Sequence, residues 1–205
     1  MSPSLFDSFG SMINPKTVYF CIDLEASGPV PGIYNMVSVG GVVVRYKEGK
    51  HVMGDEFYYE IKPDFKGFKE EAMKIHGLSQ THLENYGESS QSVLQKMSDF
   101  VKSEIQPGER PLFVGHNAPF DWMFVAWYFA WAGLDNPFGY NALDTKALMM
   151  GRLQVPWNRA NKETLSATFP HLVQPENVHN ALADARFQAE ILIQLLDWNG
   201  HFPAS

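Results

Sequence analysis

Apolar residues along this chain follow two rhythms, one for each half. The run TVYFCIDLE, from Thr17, is dense in β-branched and aromatic residues and predicts a central strand ending beside two carboxylates. After the turn-prone GPVPGIYN, MVSVGGVVVRY predicts a second strand, and after GKHVMGD, EFYYEIK predicts a third, giving an antiparallel meander. Past Pro63 the rhythm lengthens. In SSQSVLQKMSDFVKSEI the apolar positions Val93, Leu94, Met97, Phe100, Val101 and Ile105 recur at helical spacing, which predicts an amphipathic helix over one sheet face. RPLFV predicts a short buried strand, FDWMFVAWYFAWAG an almost wholly apolar helix stopped by Gly133, and YNALDT another short strand. In ALADARFQAEILIQLLDWNG, Ala181, Ala185, Ala189, Leu192 and Leu196 share one helical face, with Asn180 as N-cap and Gly200 as stop.

Alternating strands and helices in the second half predict parallel additions to the sheet. The expected fold is therefore α/β: a mixed sheet of three antiparallel strands followed by short parallel ones, flanked by helices. At 205 residues, with no internal repeat or linker, the chain is expected to form one domain over residues 17–200 behind an N-terminal extension, 1–16.

Composition narrows the function. A net charge of -7 disfavours coating of long duplexes, which relies on many Lys and Arg contacts to phosphate, but permits a grip on a short terminal segment where divalent metal neutralises carboxylates. Cys21, the single cysteine, lies in an apolar run and reads as a small core residue. The first fifteen residues lack the basic start and apolar stretch of a secretory signal, and no segment approaches the length of a membrane span, so a cytoplasmic location without membrane contact is expected.

Three clusters carry candidate chemistry. Asp23 and Glu25, two apart on a strand, project to the same side of the sheet, where their repulsion becomes favourable if a hard cation sits between them. In GHNAPFD a strand passes into a helix and places Asp121 near the first turn; the simpler alternative is that Asp121 stabilises the helix start while His116 and Asn117 bond within the loop. In HNALAD, His179 precedes a helix and Asp184 sits about one turn inside it, so a carboxylate and a base meet at one helix end. Five other histidines, His51, His76, His82, His171 and His201, read as hydrogen-bonded structural groups.

Taken in order, DLEASG, HNAPFD and HNALAD resemble the three motifs of the DEDDh exonucleases, a family of ribonuclease H-like fold that includes polymerase proofreading subunits, ribonuclease T, oligoribonuclease and the Trex enzymes. The resemblance runs from about Thr17 to Leu196. It implies a 3′-5′ exonuclease acting on the single-stranded 3′ end of DNA or RNA, with Asp23, Glu25, Asp121 and Asp184 as the acidic quartet and His179 as the catalytic histidine. Asp144, in LDT, matches a recurrent family position and is assigned to orienting its surroundings. The Ala26-Ser27 pair departs from relatives that carry Thr there and touches no proposed ligand.

The implied chemistry uses two metals about 4 Å apart. Asp23 is expected to bridge them, Glu25 and Asp184 to hold the one on the water side, and Asp121 to support the second through water, while His179 takes the proton of the attacking water. Mg²⁺ is expected, with Mn²⁺ as a substitute and zinc not expected. Leu24, His116 and Asn117 are expected to contact substrate, whereas Phe120, Trp122 and Phe124 are assigned to core packing. DLEASG is closer to Trex enzymes and HNAPFD to ribonuclease T and proofreading subunits, which leans towards DNA without excluding RNA. Homodimers occur in the family, so a homodimer is carried as an expectation. Two competitors remain: a catalytically silent binding or scaffold module, which the presence of all five residues opposes, and a small-molecule nucleotidyl hydrolase.

Overall fold

A computed structural model describes residues 16–173 and 179–198. The elements run β1 Thr17–Ala26, β2 Met36–Lys47, β3 Lys50–Glu60, α1 Glu70–His76, α2 Gln80–Tyr86, α3 Ser90–Glu104, β4 Arg110–Gly115, α4 Pro119–Trp131, β5 Ala142–Asp144, α5 Thr145–Leu153, α6 Lys162–Thr168 and α7 Ala181–Asp197, with a 3-10 turn at Trp157–Arg159. The sheet order is β3-β2-β1-β4-β5. β1 is central, antiparallel to β2 and parallel to β4, and β5 adds in parallel to β4. This is the mixed sheet expected from the hydrophobic pattern.

β1 is buried on both faces because its alternating side chains meet two layers. Val18, Phe20, Ile22 and Leu24 join the cluster under α3 and α4, while Tyr19 and Cys21 join the cluster under α7. On α3 the buried stripe is Val93, Leu94, Met97 and Val101, with Phe100 and Ile105 partly buried at its border. The α7 stripe buries Ala181, Ala185, Ala189, Leu192 and Leu196, and its small residues let the helix lie close to the sheet. Gly40 on β2 completes that approach: a Cβ there would stand 2.4 Å from the backbone nitrogen of Leu182.

Two features depart from the sequence pattern. β3 begins at Lys50, six residues before the expected strand EFYYEIK, because Glu48 and Gly49 (φ 50° and 90°) form a two-residue hairpin turn and KHVMGD continues as the edge strand, largely exposed apart from the buried His51. Edge strands carry polar residues on both faces, which hides their period. The short helices α1, α2, α5 and α6 were not singled out by periodicity, since seven to nine residues offer too few turns for a stripe. Gly133 (φ 68°) follows α4 as expected, whereas the proposed stop at Gly200 lies outside the described residues.

The histidines read as structural have local partners. His51 pairs with Asp197 at 2.5 Å and so ties β3 to the end of α7; His82 pairs with Glu60 at 2.5 Å. His76 accepts the backbone N–H of Leu78, and His171 packs edge-on against Phe169. His201 lies outside the described residues.

Candidate active site

The three clusters converge on one cleft of about 290 Å³ at the end of β1, lined by Asp23, Leu24, Glu25, His116, Asn117, Asp121, His179 and Asp184 among others. Strand alternation sends Asp23 and Glu25 to the α7 side. Asp121 arrives from the first turn of α4 and is 5% exposed; its Oδ1 accepts the Leu24 backbone N–H at 3.2 Å, which locks the start of α4 to β1. Asn180 caps α7 by accepting the Ala183 N–H, and His179, at φ 67°, donates its own backbone N–H to Asp184 at 2.7 Å. Glu25, His179 and Asp184 each bring one ligand-capable atom within 4.8 Å of the others.

Electrostatics in this cleft are unfavourable for protein alone. Burial, then the charges of Asp121, Asp184 and Glu25, holds the Asp23 carboxyl well above the usual carboxylate range; a bond from Gln188 opposes this. Burial, followed by Asp184 and Asp121, pushes Glu25 up to about 8. Burial raises Asp121 to about 7 even though the Leu24 N–H stabilises its ionised form. Clustered oxygen donors whose ionisation is opposed by their neighbours suit a hard divalent cation, which restores the ionised forms by adding positive charge. The donor set therefore fits divalent metal.

Several residues in the cleft wall were not assigned from sequence. Gln188 donates from Nε2 to Asp23 Oδ1 at 2.6 Å. It stands one helical turn after Asp184, and a polar residue among the apolar positions of α7 was the signal that could have found it. Leu165, Phe187 and Ile191 supply an apolar wall from α6 and α7. Phe120, in the first turn of α4, packs against the core cluster beside Phe124 as expected and, being only partly buried there, also lines the cleft. Phe124 is fully buried, and Trp122 packs edge-on against Phe113.

The expected substrate contacts are placed unequally. Leu24 borders the cleft but is only 4% exposed. His116 meets Thr145 through Nδ1 at 3.0 Å, and Asn117 (φ 62°) is exposed, its backbone N–H donated to Asp144. Asp144 also caps α5 by accepting from Lys146, so it orients the loop beside the cleft and is not among the residues lining it. Ser27 is fully buried and donates to the Gly67 carbonyl, anchoring the chain just past Glu25.

Comparison with known proteins bears on the family and the fold. The family model described as the 3′-5′ exoribonuclease Rv2179c-like domain matches residues 18–196. The chain is 36% identical over 188 residues to the 3′-5′ DNA exonuclease Cap18 of Escherichia coli, covering 91% of this chain and 95% of that protein. Among solved structures, the nuclease domain of 3′hExo, a DEDDh family member bound to rAMP, aligns with a TM-score of 0.72 at 16% identity, covering 95% of this chain and 98% of its own. The zinc-bound complex of E. coli ExoI with single-stranded DNA aligns at 0.69 and 17% identity, covering 87% of this chain and 40% of its own. These two likenesses are of fold.

Proposed function

We propose that this chain, which belongs to the Rv2179c-like 3′-5′ exoribonuclease domain family and is a 3′-5′ exonuclease of the DEDDh type, removes nucleotides from single-stranded 3′ ends using divalent cations held by Asp23, Glu25, Asp121 and Asp184. The observation that carries the site is the convergence of these four carboxylates, drawn from β1, α4 and α7, with His179 in one cleft. Two cations are proposed, Mg²⁺ by preference with Mn²⁺ as a substitute, because oxygen ligands suit both. When bound, they offset the negative charge that gathers on the phosphate oxygens during in-line displacement.

The chain's own residues do the rest. His179 sits at the cleft mouth beside Glu25 and Asp184, where a neutral ring nitrogen takes the proton of the attacking water. Gln188 and the Leu24 N–H hold Asp23 and Asp121 in place, so the carboxylates need not reorganise as substrate arrives. Leu24, with Phe120, offers an apolar surface to the terminal base, while His116 and Asn117 border the sugar-phosphate path. Residues 17–200 are taken as the exonuclease domain and 1–16 as an extension. A cytoplasmic setting accords with the unpaired Cys21, and no helix among the described residues is long and apolar enough to cross a membrane.

DNA is proposed as the preferred sugar, supported by the Cap18 relative being a DNA exonuclease; the family description, which names an exoribonuclease, makes RNA the competing substrate. A gel time course on matched single-stranded DNA and RNA labelled at the 5′ end, with Mg²⁺, Mn²⁺ or EDTA, tests both points. A metal-dependent ladder shortening from the 3′ end, faster on DNA and absent in Asp184→Ala, is expected. Faster RNA shortening would reverse the sugar preference, and intact oligonucleotides with every metal would overturn the reaction.

A further inference from the structure

Between Thr145 and Asn161 the chain carries Lys146, Arg152 and Arg159 and no acidic residue, although the whole protein has 16 Lys and Arg against 23 Asp and Glu. Arg152 is turned inward and donates to the carbonyls of Leu195 and Trp198. Lys146 and Arg159 have no ion-pair partner among the described residues. The Lys146 ammonium lies 4.2 Å from the centre of the Trp157 ring, and Trp157 is 45% exposed. A cation over an exposed indole is held there weakly and leaves the ring accessible.

This pair is joined to the catalytic cleft by defined bonds. The backbone N–H groups of Asn117 and Lys146 both donate to Asp144 Oδ1, each at 2.9 Å, so Lys146 is one shared oxygen away from a cleft-lining residue. Three residues after Trp157, the buried Ala160 packs in the same cluster as Leu165 and Ile191, which also line the cleft. The 3-10 turn that carries Trp157 is therefore anchored at Ala160 to the cluster that forms part of the cleft wall.

We propose that Trp157 and Lys146 form a subsite for a nucleotide of the single strand upstream of the scissile bond, its base stacking on Trp157 and its phosphate meeting Lys146, with Arg159 at the rim. The proposal rests on the exonuclease reading. Single-strand sites pair aromatic faces with cations because every base has a face to stack and every link a phosphate to neutralise. The need is acute here, since the acidic cleft and the negative net charge give the strand little attraction elsewhere.

The test compares oligothymidylates of about 12 and about 3 nucleotides, the longer spanning the subsite and the shorter falling short of it. Trp157→Ala is expected to raise KM for the longer strand about tenfold more than for the shorter, with the loss in KM and not in kcat, and Trp157→Phe to recover most of it. Lys146→Ala is expected to lower the salt dependence of binding to the longer strand by about 0.7 in the log-log slope. Affinity is also read by fluorescence anisotropy in an Asp184→Ala background, where adding Trp157→Ala is expected to weaken the longer strand selectively. Equal losses at both lengths, or none at either, would overturn the subsite. If wild-type protein shortens no strand yet the length-selective loss of affinity is seen, the subsite stands and the exonuclease reading falls.

Discussion

Glu25 and His179 separate two kinds of contribution at the level of single residues. The Glu25 carboxyl is pushed up to about 8 by burial and by Asp184 and Asp121, so the metal-free fold holds it protonated at neutral pH and its charge is a cost from about pH 8 upward. Glu25→Gln removes that charge while keeping the shape. It is expected to raise the melting temperature in EDTA at about pH 8 and to cut metal-dependent cleavage by at least about a hundredfold, measured by thermal denaturation and by gel assay. A lower melting temperature in EDTA would show that Glu25 is stabilised by partners other than a cation. His179 holds its place through its backbone, with its N–H on Asp184, so His179→Ala keeps the carboxylates in position. Its expected signature is a fall in kcat of about a hundredfold or more with end affinity little changed. Equal rates at neutral pH would remove the base assignment. These two residues were legible in sequence because the motifs place them at a strand end and a helix start. Gln188 was not, because a glutamine on a helix declares no role until the strand opposite is known.

On the scale of elements, the site depends on how closely α7 lies on β1 and β2. Gly40 pairs with Asp23 in the sheet and faces the backbone of α7 at Leu182, while Ala181, Ala185 and Ala189 keep the helix side of that contact small. Adding a methyl group at Gly40 meets backbone, which has no rotamer by which to escape. Gly40→Ala is therefore expected to cost about 1–3 kcal/mol in urea unfolding and to lower cleavage further than this loss explains, because Asp184 moves with α7 away from Asp23. Unchanged cleavage in a folded Gly40→Ala protein would refute the coupling. The alanine stripe was readable from helical spacing, but its partner glycine was not: in MVSVGGVVVRY, Gly40 and Gly41 are equivalent until the register decides which one faces a helix. Gly41 turns instead towards the Phe57 ring.

At the level of the whole molecule, the acidic centre makes stability depend on pH and metal together. Asp23, Glu25 and Asp121 all have raised carboxyls, so the fold retains protons that the unfolded chain releases at lower pH. Their favourable contribution is fully present below the ordinary carboxylate range and is lost as pH rises through about 7 for Asp121 and about 8 for Glu25. In EDTA the melting temperature is thus expected to fall between about pH 5 and about pH 9, apart from any trend shared by an Asp23→Asn, Glu25→Gln, Asp121→Asn variant, and Mg²⁺ is expected to flatten the fall. A slope identical in wild type and the triple variant would show that these carboxyls are not the source. The strands and long helices, and the residues that gather at the cleft, were legible in the sequence, since periodicity and motif spacing are local properties of the chain. Tertiary structure decided what local properties cannot: the early start of β3, the short helices, the place of Phe120 in the cleft wall, the bond from Gln188 to Asp23, and the sharing of Asp144 Oδ1 by Asn117 and Lys146. The Gln188–Asp23 bond joins segments far apart in sequence, and burial that brings carboxylates from β1, α4 and α7 together exists only once the sheet and helices have packed.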